Sequence, residues 1–338
     1  MVGYVLVSFA FWKGSIMKNG ILMEMTIEDI REFKPEVVVM GIGSTEPHGP
    51  VLPYGTDYFQ VDAVVRRAVI EANEQSARAL MYPTLPIGNN VNFKAFPFAC
   101  RMGVNTLMRV VLDIIGALEE DGIRKIVLIN GHGGNTDAIR AALRAHVGAR
   151  KPGEGAFVCM PSGSAPPGLI KHQSNHGGEA EVSRMLHIRE DLVRKEEFDV
   201  FPFGELAVEE LNDPGVYFVR PWHLHVPKAA GGDVRNPRRR KVSNSLNIPP
   251  SRSPSCWWPC PRQNGLPIFR SRGEEGKTAF SGVLLLIQRA YAGIDIEASV
   301  HTERHAVQEA SRIGEQQDNR SHKLFRISEA SHRRVRYD

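Results

Sequence analysis

Side chains that can bind a metal ion are concentrated in three short loops of this sequence. The first loop, GSTEPHGPVLPYGTD, spans residues 43–57, the second spans 130–135, and the third opens at residue 176. Carboxylates mixed with imidazoles suit divalent ions such as zinc, manganese or iron. The pattern therefore predicts a metal-dependent hydrolase. The candidate residues are Glu46, His48, Asp57, His132, His176, Glu179 and Glu181.

The first loop supplies three of these residues. Glu46 and His48 are two positions apart, so their side chains point the same way if the loop is extended there. Asp57 lies at the start of a predicted helix, and a carboxylate can bridge two cations about 3.5–4 Å apart. Taken singly, Glu46 and His48 also suit a polar surface loop, and Asp57 suits a helix N-cap. Their combination, with prolines and glycines that fix the loop, favours a metal site.

The second loop, Asn130-Gly-His132-Gly-Gly-Asn135, places one imidazole in a glycine-rich turn between a predicted strand and a predicted helix. Such a turn can instead bind an anion at the helix N-terminus. It does not match the G-x-G-x-x-G fingerprint of dinucleotide-binding proteins. A nucleotide-binding domain is therefore the weaker hypothesis for this loop.

The third loop leads into the last clear helical pattern. Glu179 and Glu181 are two positions apart and cannot share a helix face, so we expect at most one of them to bind a metal. Their charges also suit a helix N-terminus without any metal. His176 lies just outside the helix, where it is placed for proton transfer.

Short apolar runs alternate with helical patterns between residues 37 and 188, and a short helix with capping-box spacing follows Thr26. Runs that are apolar on both faces are typical of buried parallel strands. Their alternation with helices predicts an α/β fold of parallel βαβ units, whose functional loops follow the carboxyl ends of the strands. The predicted strands are 37–43, 80–83, 125–130 and 156–160, and the predicted helices are 58–72, 105–121, 136–147 and 179–188.

Composition narrows the class of protein. The four cysteines are too few and scattered for a disulfide framework, which favours a cytoplasmic setting. The apolar run at the N-terminus is too short to span a membrane. The net charge of +4 is uneven, because residues 226–272 carry ten Lys or Arg against the single acid Asp233. The basic stretch 238–241 lacks interleaved aromatic residues, so we expect no nucleic-acid partner.

The motifs Glu46-x-His48-Gly-Pro-x-Leu-Pro-x-Gly-Thr-Asp57, Asn130-Gly-His-Gly-Gly-Asn135 and His176-x-Gly-x-x-Glu181-x-Ser183 resemble the creatininase (creatinine amidohydrolase) family. The resemblance covers about residues 25–220. It implies a three-layer α/β sandwich with a central, mostly parallel sheet flanked by helices. It also implies a dinuclear metal site and assembly as a homo-oligomer, usually a hexamer.

The resemblance also implies roles for individual residues. Glu46, Asp57 and His132 resemble the ligands of one metal, and His48 with the bridging Asp57 resembles the ligands of the other. Creatininase itself has a Glu two residues after the loop histidine, where this sequence has Gly134. The missing ligand is inferred to be Glu181, with Glu179 as the second choice.

Several departures argue against creatinine as the substrate. One is Gly134, and another is the segment 96–99, Phe-Pro-Phe-Ala, which replaces the Phe-Pro-Gly-Thr common in the family. Trp222 is the only candidate counterpart of the tryptophans that frame creatinine. The chain is therefore expected to be a family member other than creatininase itself.

The expected domain organisation has four parts. Residues 1–24 form an N-terminal extension and residues 25–225 form a creatininase-like metal hydrolase domain. Residues 226–272 form a basic Pro/Arg/Ser-rich insert that is irregular and exposed. Residues 273–338 form a C-terminal helix, predicted over 282–292, and a polar tail.

The expected function is metal-dependent hydrolysis of a small cyclic or linear amide, formamide-like or creatinine-like, with two zinc, manganese or iron ions per chain. A hydroxide that bridges the ions attacks the carbonyl, and His176 passes a proton to the leaving nitrogen. The alternative is a catalytically impaired, metal-binding family member with a binding or regulatory role.

Overall fold

The computed structural model of the protein describes residues 19–161, 176–204, 208–212, 216–235 and 237. Four strands form a parallel sheet: β1 (Val37–Ile42), β2 (Ala79–Leu85), β3 (Lys125–Asn130) and β4 (Phe157–Cys159). Their order in the sheet is β2-β1-β3-β4. The helices are α1 (Ile27–Phe33), α2 (Thr56–Glu74), α3 (Val104–Glu120), α4 (Thr136–Gly148), α5 (Glu179–Ile188) and α6 (Trp222–His225).

Both faces of the sheet are buried, and this confirms the predicted α/β fold with three layers. Successive residues of β1 point to opposite faces, so Val37 and Val39 pack against α2 while Val38 and Met40 pack against α3 and α4. All six residues of β1 are buried. Each such aliphatic side chain contributes roughly 1.5–3 kcal/mol when it is fully buried. This two-sided burial explains why the strands are continuous apolar runs.

Two helix starts differ in how they are capped. The predicted capping box of α1 is present, because Thr26 and Asp29 bond to each other's backbone N–H groups. The sequence also allowed Asp57 to be the N-cap of α2, and this was wrong. The N-cap is Gly55, and the Thr56 hydroxyl donates to the carbonyl of Pro53 at 2.6 Å. The Asp57 carboxylate therefore does not cap α2 and can take part in other contacts.

The neighbouring strands β1 and β3 bring two ligand loops together. Ile42, the last residue of β1, is the register partner of Asn130, the last residue of β3. The N–H of Gly131 then donates to the carbonyl of Ile42 at 2.8 Å. Because parallel strands end at the same edge of a sheet, the loops that follow leave side by side. This adjacency places His132 next to the loop of Glu46 and His48.

Residues 226–235 do not form the exposed, irregular segment that the sequence predicted. Val226, Ala230 and Val234 are fully buried, and Ala230 and Val234 pack in one cluster with Met185 of α5. A short strand β6 (Gly232–Asp233) pairs antiparallel with β5 (Val200–Phe201). The composition of the longer segment hid these small apolar residues.

Other predicted regions lie outside the described residues. They are residues 1–18, the rest of the basic segment from 238 onward, and the C-terminal helix predicted over 282–292. The end of the predicted N-terminal extension is described: Ile21 is buried and bridges to Met81 of β2. Among the described helices, none is long and apolar enough to cross a membrane.

Candidate metal centre

The first ligand loop runs from the end of β1 to the start of α2. The N–H of Glu46 donates to the carbonyl of Tyr54 at 3.0 Å and closes the loop. Glu46 and His48 are almost completely buried. Gly49 has a φ of +72°, and a Cβ there would lie 2.6 Å from the Cβ of Ala230. Only glycine fits this turn, which fixes the direction of the preceding imidazole.

Each of three histidines is held by a hydrogen bond from one ring nitrogen to a backbone carbonyl. A nitrogen that donates in this way leaves the other nitrogen with its lone pair available. In each ring that second nitrogen faces the buried carboxylates. The three bonds join His48 Nδ1 to Glu46 O (3.0 Å), His132 Nε2 to Asn89 O (3.0 Å) and His176 Nε2 to Pro47 O (2.7 Å).

Asp57 lies at the centre of the cluster. Its Oδ1 is 3.2 Å from Nε2 of His48, and its Oδ2 is 3.1 Å from Nδ1 of His132. Oε1 of Glu46 lies 3.2 Å from the same Nδ1 of His132, and Oε2 of Glu181 lies 3.7 Å from Nε2 of His48. The two oxygens of Asp57 therefore face two different imidazoles, each accompanied by another carboxylate.

The candidate ligands fall into three groups whose nitrogen or oxygen atoms lie within 4.8 Å of one another. The groups are Glu46, Asp57 and His132; His48, Asp57 and Glu181; and Glu46, His48 and His176. Glu181 thus joins the cluster, whereas Glu179 belongs to none of these groups of described residues although it is buried. His176 is nearest to Glu46, with Nδ1 at 3.7 Å from Oε1.

The hydrogen bonding of these residues, as well as their side-chain types, fits a divalent cation. Glu46 Oε2, His48 Nε2 and Asp57 Oδ2 are buried and have no hydrogen-bond partner among the described residues. A buried polar atom without a partner costs about 1–3 kcal/mol. All three atoms lie in the ligand cluster, and coordination to a cation would satisfy them.

The buried charges shift one another's pKa values. Burial alone would lower the pKa of His48, but the negative charges of Asp57, Glu181 and Glu46 outweigh it and raise this pKa to about 10. Burial raises the pKa of Glu46 to about 7, although the neighbouring imidazoles oppose the shift. The pKa of Asp57 falls well below its usual range despite burial, because His48 and His132 favour its charged form. The cluster thus strongly favours positive charge at its centre.

A network that sequence analysis missed holds His132 in place. The carbonyl of Asn89 accepts from His132, while the N–H of Asn89 donates to Oδ1 of Asn135 at 2.8 Å. The amide of Asn135 in turn donates to the carbonyl of Gly43 at 3.0 Å. A Cβ at Gly134 would lie 2.2 Å from the oxygen of Asn89. Gly134 therefore leaves room for the carbonyl that holds His132.

An aromatic wall flanks His176. Its ring lies 4.1 Å from the ring of His48 and 4.8 Å from that of Phe93. Trp222 stacks on Phe93 at 5.2 Å and meets His176 edge-on at 5.1 Å. Trp222 therefore lies beside the site, as the sequence suggested, and the buried Phe93 is a contact that no motif indicated.

Residues 229–231 complete the third loop. Gly231 donates its N–H to the carbonyl of His176 at 2.8 Å. Gly177 has a φ of +63°, and a Cβ there would lie 2.7 Å from the Cβ of Ala230. The same methyl group therefore packs against the glycine turns that follow His48 and His176. This contact couples the first loop to the third.

A cavity of about 570 Å³ lies beside the first loop. Pro47, whose carbonyl holds His176, and Gly49 form part of its wall. Tyr54 and Phe96 supply aromatic surface, and Lys228, Glu197 and Asp199 supply charged side chains. The volume falls within the range of about 300–1,000 Å³ typical of small-molecule sites.

Comparison with known proteins agrees with this geometry. A family model described as "Creatininase: Creatinine amidohydrolase" matches residues 23–242. The mycofactocin precursor peptide peptidase of Mycobacterium ulcerans (strain Agy99) is 29% identical over 191 residues, which are 54% of this chain and 72% of that protein. The creatinine amidohydrolase of Pseudomonas putida is 30% identical over 176 residues, which are 46% of this chain and 66% of that protein.

Solved structures support the same assignment. The putative creatinine amidohydrolase from Bacteroides fragilis NCTC 9343 superposes with a TM-score of 0.57 at 25% identity, over 66% of this chain and 88% of that one. The structure named "Creatininase Mn" superposes with a TM-score of 0.52 over 81% of this chain and 96% of that one. Its sequence identity is 20%, so this similarity supports the fold alone. Since the family model spans well over half of the sequence, the chain belongs to the creatininase family.

Proposed function

We propose that this member of the creatininase family is an amidohydrolase that depends on two divalent metal ions. The observation that carries the proposal is the position of Asp57, whose two oxygens face the free nitrogens of His48 and His132 separately. One carboxylate placed between two imidazoles is the arrangement expected of a bridging ligand. Zinc, manganese and iron all suit this donor set.

The chain offers a complete set of ligands for the two ions. Glu46, Asp57 and His132 would hold one, and His48, Asp57 and Glu181 would hold the other. Bound cations would supply Lewis-acid polarisation of the amide carbonyl and would lower the pKa of a water molecule toward neutrality. The hydrogen bonds from the imidazoles to backbone carbonyls would orient the ligands before any ion arrives.

His176 is suited to moving a proton at its Nδ1. Its Nε2 is held by the carbonyl of Pro47 at 2.7 Å, so the ring cannot rotate freely. Nδ1 faces the cluster at 3.7 Å from Oε1 of Glu46. Phe93 and Trp222 pack against the ring and limit its movement. The free lone pair of Nδ1 would accept a proton from the attacking water and pass it to the leaving nitrogen.

A nucleotide site in the glycine loop is a weaker fit. His132 in that loop points to two carboxylates, 3.1 Å and 3.2 Å from its Nδ1. A phosphate placed there would meet the negative charges of Glu46 and Asp57, which repel it. The loop therefore supports a cation rather than an anion.

Among amides, a linear substrate fits better than a small cyclic one. The cavity beside Pro47 and Gly49 offers about 570 Å³ next to the ligand loop, enough for a chain that extends beyond the reacting amide. One relative is named as a peptidase of a precursor peptide. We therefore propose a short peptide or formylated amine as the substrate class.

The test combines elemental analysis of purified protein with hydrolysis of a panel of amides. The panel contains creatinine, simple formamides and short linear peptides, each assayed before and after chelation and after restoration of Zn²⁺ or Mn²⁺. About two ions per chain with metal-dependent turnover of a linear amide is the expected result. Protein that binds two ions and hydrolyses nothing would instead favour a binding or regulatory role, and protein that binds no ion would overturn the proposal.

A further inference from the structure

A buried polar pair connects the two helices that carry Asp57 and Glu181. Gln60 in α2 and Arg184 in α5 are 3% and 4% exposed, respectively. Nε of Arg184 donates a hydrogen bond to Oε1 of Gln60. Around this pair the helices pack through apolar contacts, in which Phe59 of α2 meets the cluster containing Val182 of α5.

The pair has the same position relative to both ligands. Gln60 follows Asp57 by three residues in α2, and Arg184 follows Glu181 by three residues in α5. Residues three apart lie on the same helix face, one turn from each other. The hydrogen bond therefore joins the two helices about one turn after the residues whose carboxylates face His48.

Stability alone does not account for a buried arginine. Burying a guanidinium carries a large desolvation cost, and replacement of a buried charged group by an apolar side chain of similar volume is often neutral or stabilising. A directional bond between two helices does fix their separation and rotation, which apolar contacts leave softer. A role in placing the ligands accounts for the position of the bond.

We infer that Gln60 and Arg184 are positioning residues, a brace that holds Asp57 and Glu181 at the spacing needed to share one divalent cation with His48. This inference rests on the proposed dinuclear site. It concerns mainly the ion held by His48, Asp57 and Glu181, because that ion takes both braced carboxylates and the other ion takes only Asp57.

Because Arg184 is positively charged, the direction of the change in cation affinity on its removal tests the inference. If the guanidinium acted only through its charge, its removal would strengthen cation binding, because a positive group would leave the neighbourhood of Glu181. If it acts as a brace, removal weakens binding, because the carboxylates lose their spacing. Gln60→Met breaks the same bond without changing the charge and isolates the positional effect.

The experiment measures Zn²⁺ affinity by competition with a chromophoric chelator, together with ion content and thermal unfolding. We expect Gln60→Met and Arg184→Met to weaken the ion held by His48, Asp57 and Glu181 by about 10–100-fold, as for other residues that orient metal ligands, and to weaken the other ion less. Gln60→Glu keeps an acceptor for Arg184 and should retain both ions. Arg67→Met is the matched control, since it removes an arginine of α2 whose partner is Glu71 on the same helix.

The position of the weakened ion is assigned with His48→Ala. In that background Gln60→Met should weaken the remaining ion less than it weakens the other ion in the wild type, because the remaining ion takes only Asp57 of the two braced carboxylates. If Arg184→Met fails to fold, Gln60→Met and Gln60→Glu still decide the question. Unchanged or tighter binding in Gln60→Met, or weakening confined to the ion held by Glu46, Asp57 and His132, overturns the brace while the dinuclear site stands. Wild-type protein without bound ions overturns the proposed function first.

Discussion

Gly134→Ala is predicted to damage the metal centre although it adds a single methyl group. The new Cβ would lie 2.2 Å from the oxygen of Asn89 and 2.5 Å from Nε2 of His132. Both atoms take part in the hydrogen bond that orients His132. Real Cβ contacts are essentially never shorter than 3.0 Å, so the Asn89 oxygen must move away from the new methyl group by most of an ångström and Nε2 of His132 by about half an ångström.

The magnitude follows from what must move. Overpacking of this kind costs typically about 1–3 kcal/mol. Loss of the bond from His132 to Asn89 would leave Nδ1 free to turn away from Glu46 and Asp57. Residues that orient a metal ligand are worth about 10–100-fold in metal affinity. We expect a loss in that range for the ion held by Glu46, Asp57 and His132.

The assay compares thermal unfolding and Zn²⁺ competition in Gly134→Ala and a matched control. Gly116 lies within α3, where a Cβ would meet nothing within 4 Å. Gly116→Ala should therefore be neutral or stabilise the protein by roughly 0.5–1 kcal/mol. It should leave ion binding unchanged. Gly134→Ala with wild-type stability and affinity would show that the reasoning about His132 is wrong.

Three further predictions concern single side chains. Asp57→Ala should lose both ions because the proposed site gives each ion this carboxylate, and elemental analysis that still finds two ions would contradict the dinuclear assignment. His176→Ala should keep its ions while turnover falls by about 10²–10⁴-fold; loss of metal would make His176 a ligand. Glu119 accepts hydrogen bonds from Ala156 N, His146 and Arg150, which hold its pKa below the usual range although burial opposes them. The pKa of Glu119 is lower in the folded protein than in the unfolded chain. Its ionised carboxylate therefore stabilises the fold above about pH 4.3, and this contribution is lost as the pH falls below that value. Glu119→Gln should therefore cost about 1–3 kcal/mol at pH 7, and urea titrations should show this difference shrinking in acid.

The sequence by itself determined the elements of the sheet and its helices. Strands buried on both faces must be apolar throughout, so β1 and β3 were predicted with nearly the bounds they have. Helix α5 was predicted over the residues it occupies, and the predicted helix 105–121 matches α3 to within one residue at each end. These signals are local, because each depends on side-chain periodicity or on one backbone conformation.

The sequence also identified which residue types could bind a metal. Glu46, His48 and Asp57 lie in one short loop, and their chemistry does not depend on the fold. Their convergence with His132 required the pairing of β1 with β3, which joins residues about ninety positions apart. Sequence order alone does not state that pairing.

Only the tertiary structure decided how the candidate ligands are supported. It brought Glu181 rather than Glu179 to His48, because helix rotation sets which carboxylate faces the cluster. It showed that a backbone carbonyl, that of Asn89, orients His132, and every residue type has such a carbonyl. It also placed Ala230, in a segment predicted to be irregular, against two glycine turns of the site. These contacts depend on shape and distance between remote segments, and composition and periodicity carry no information about either.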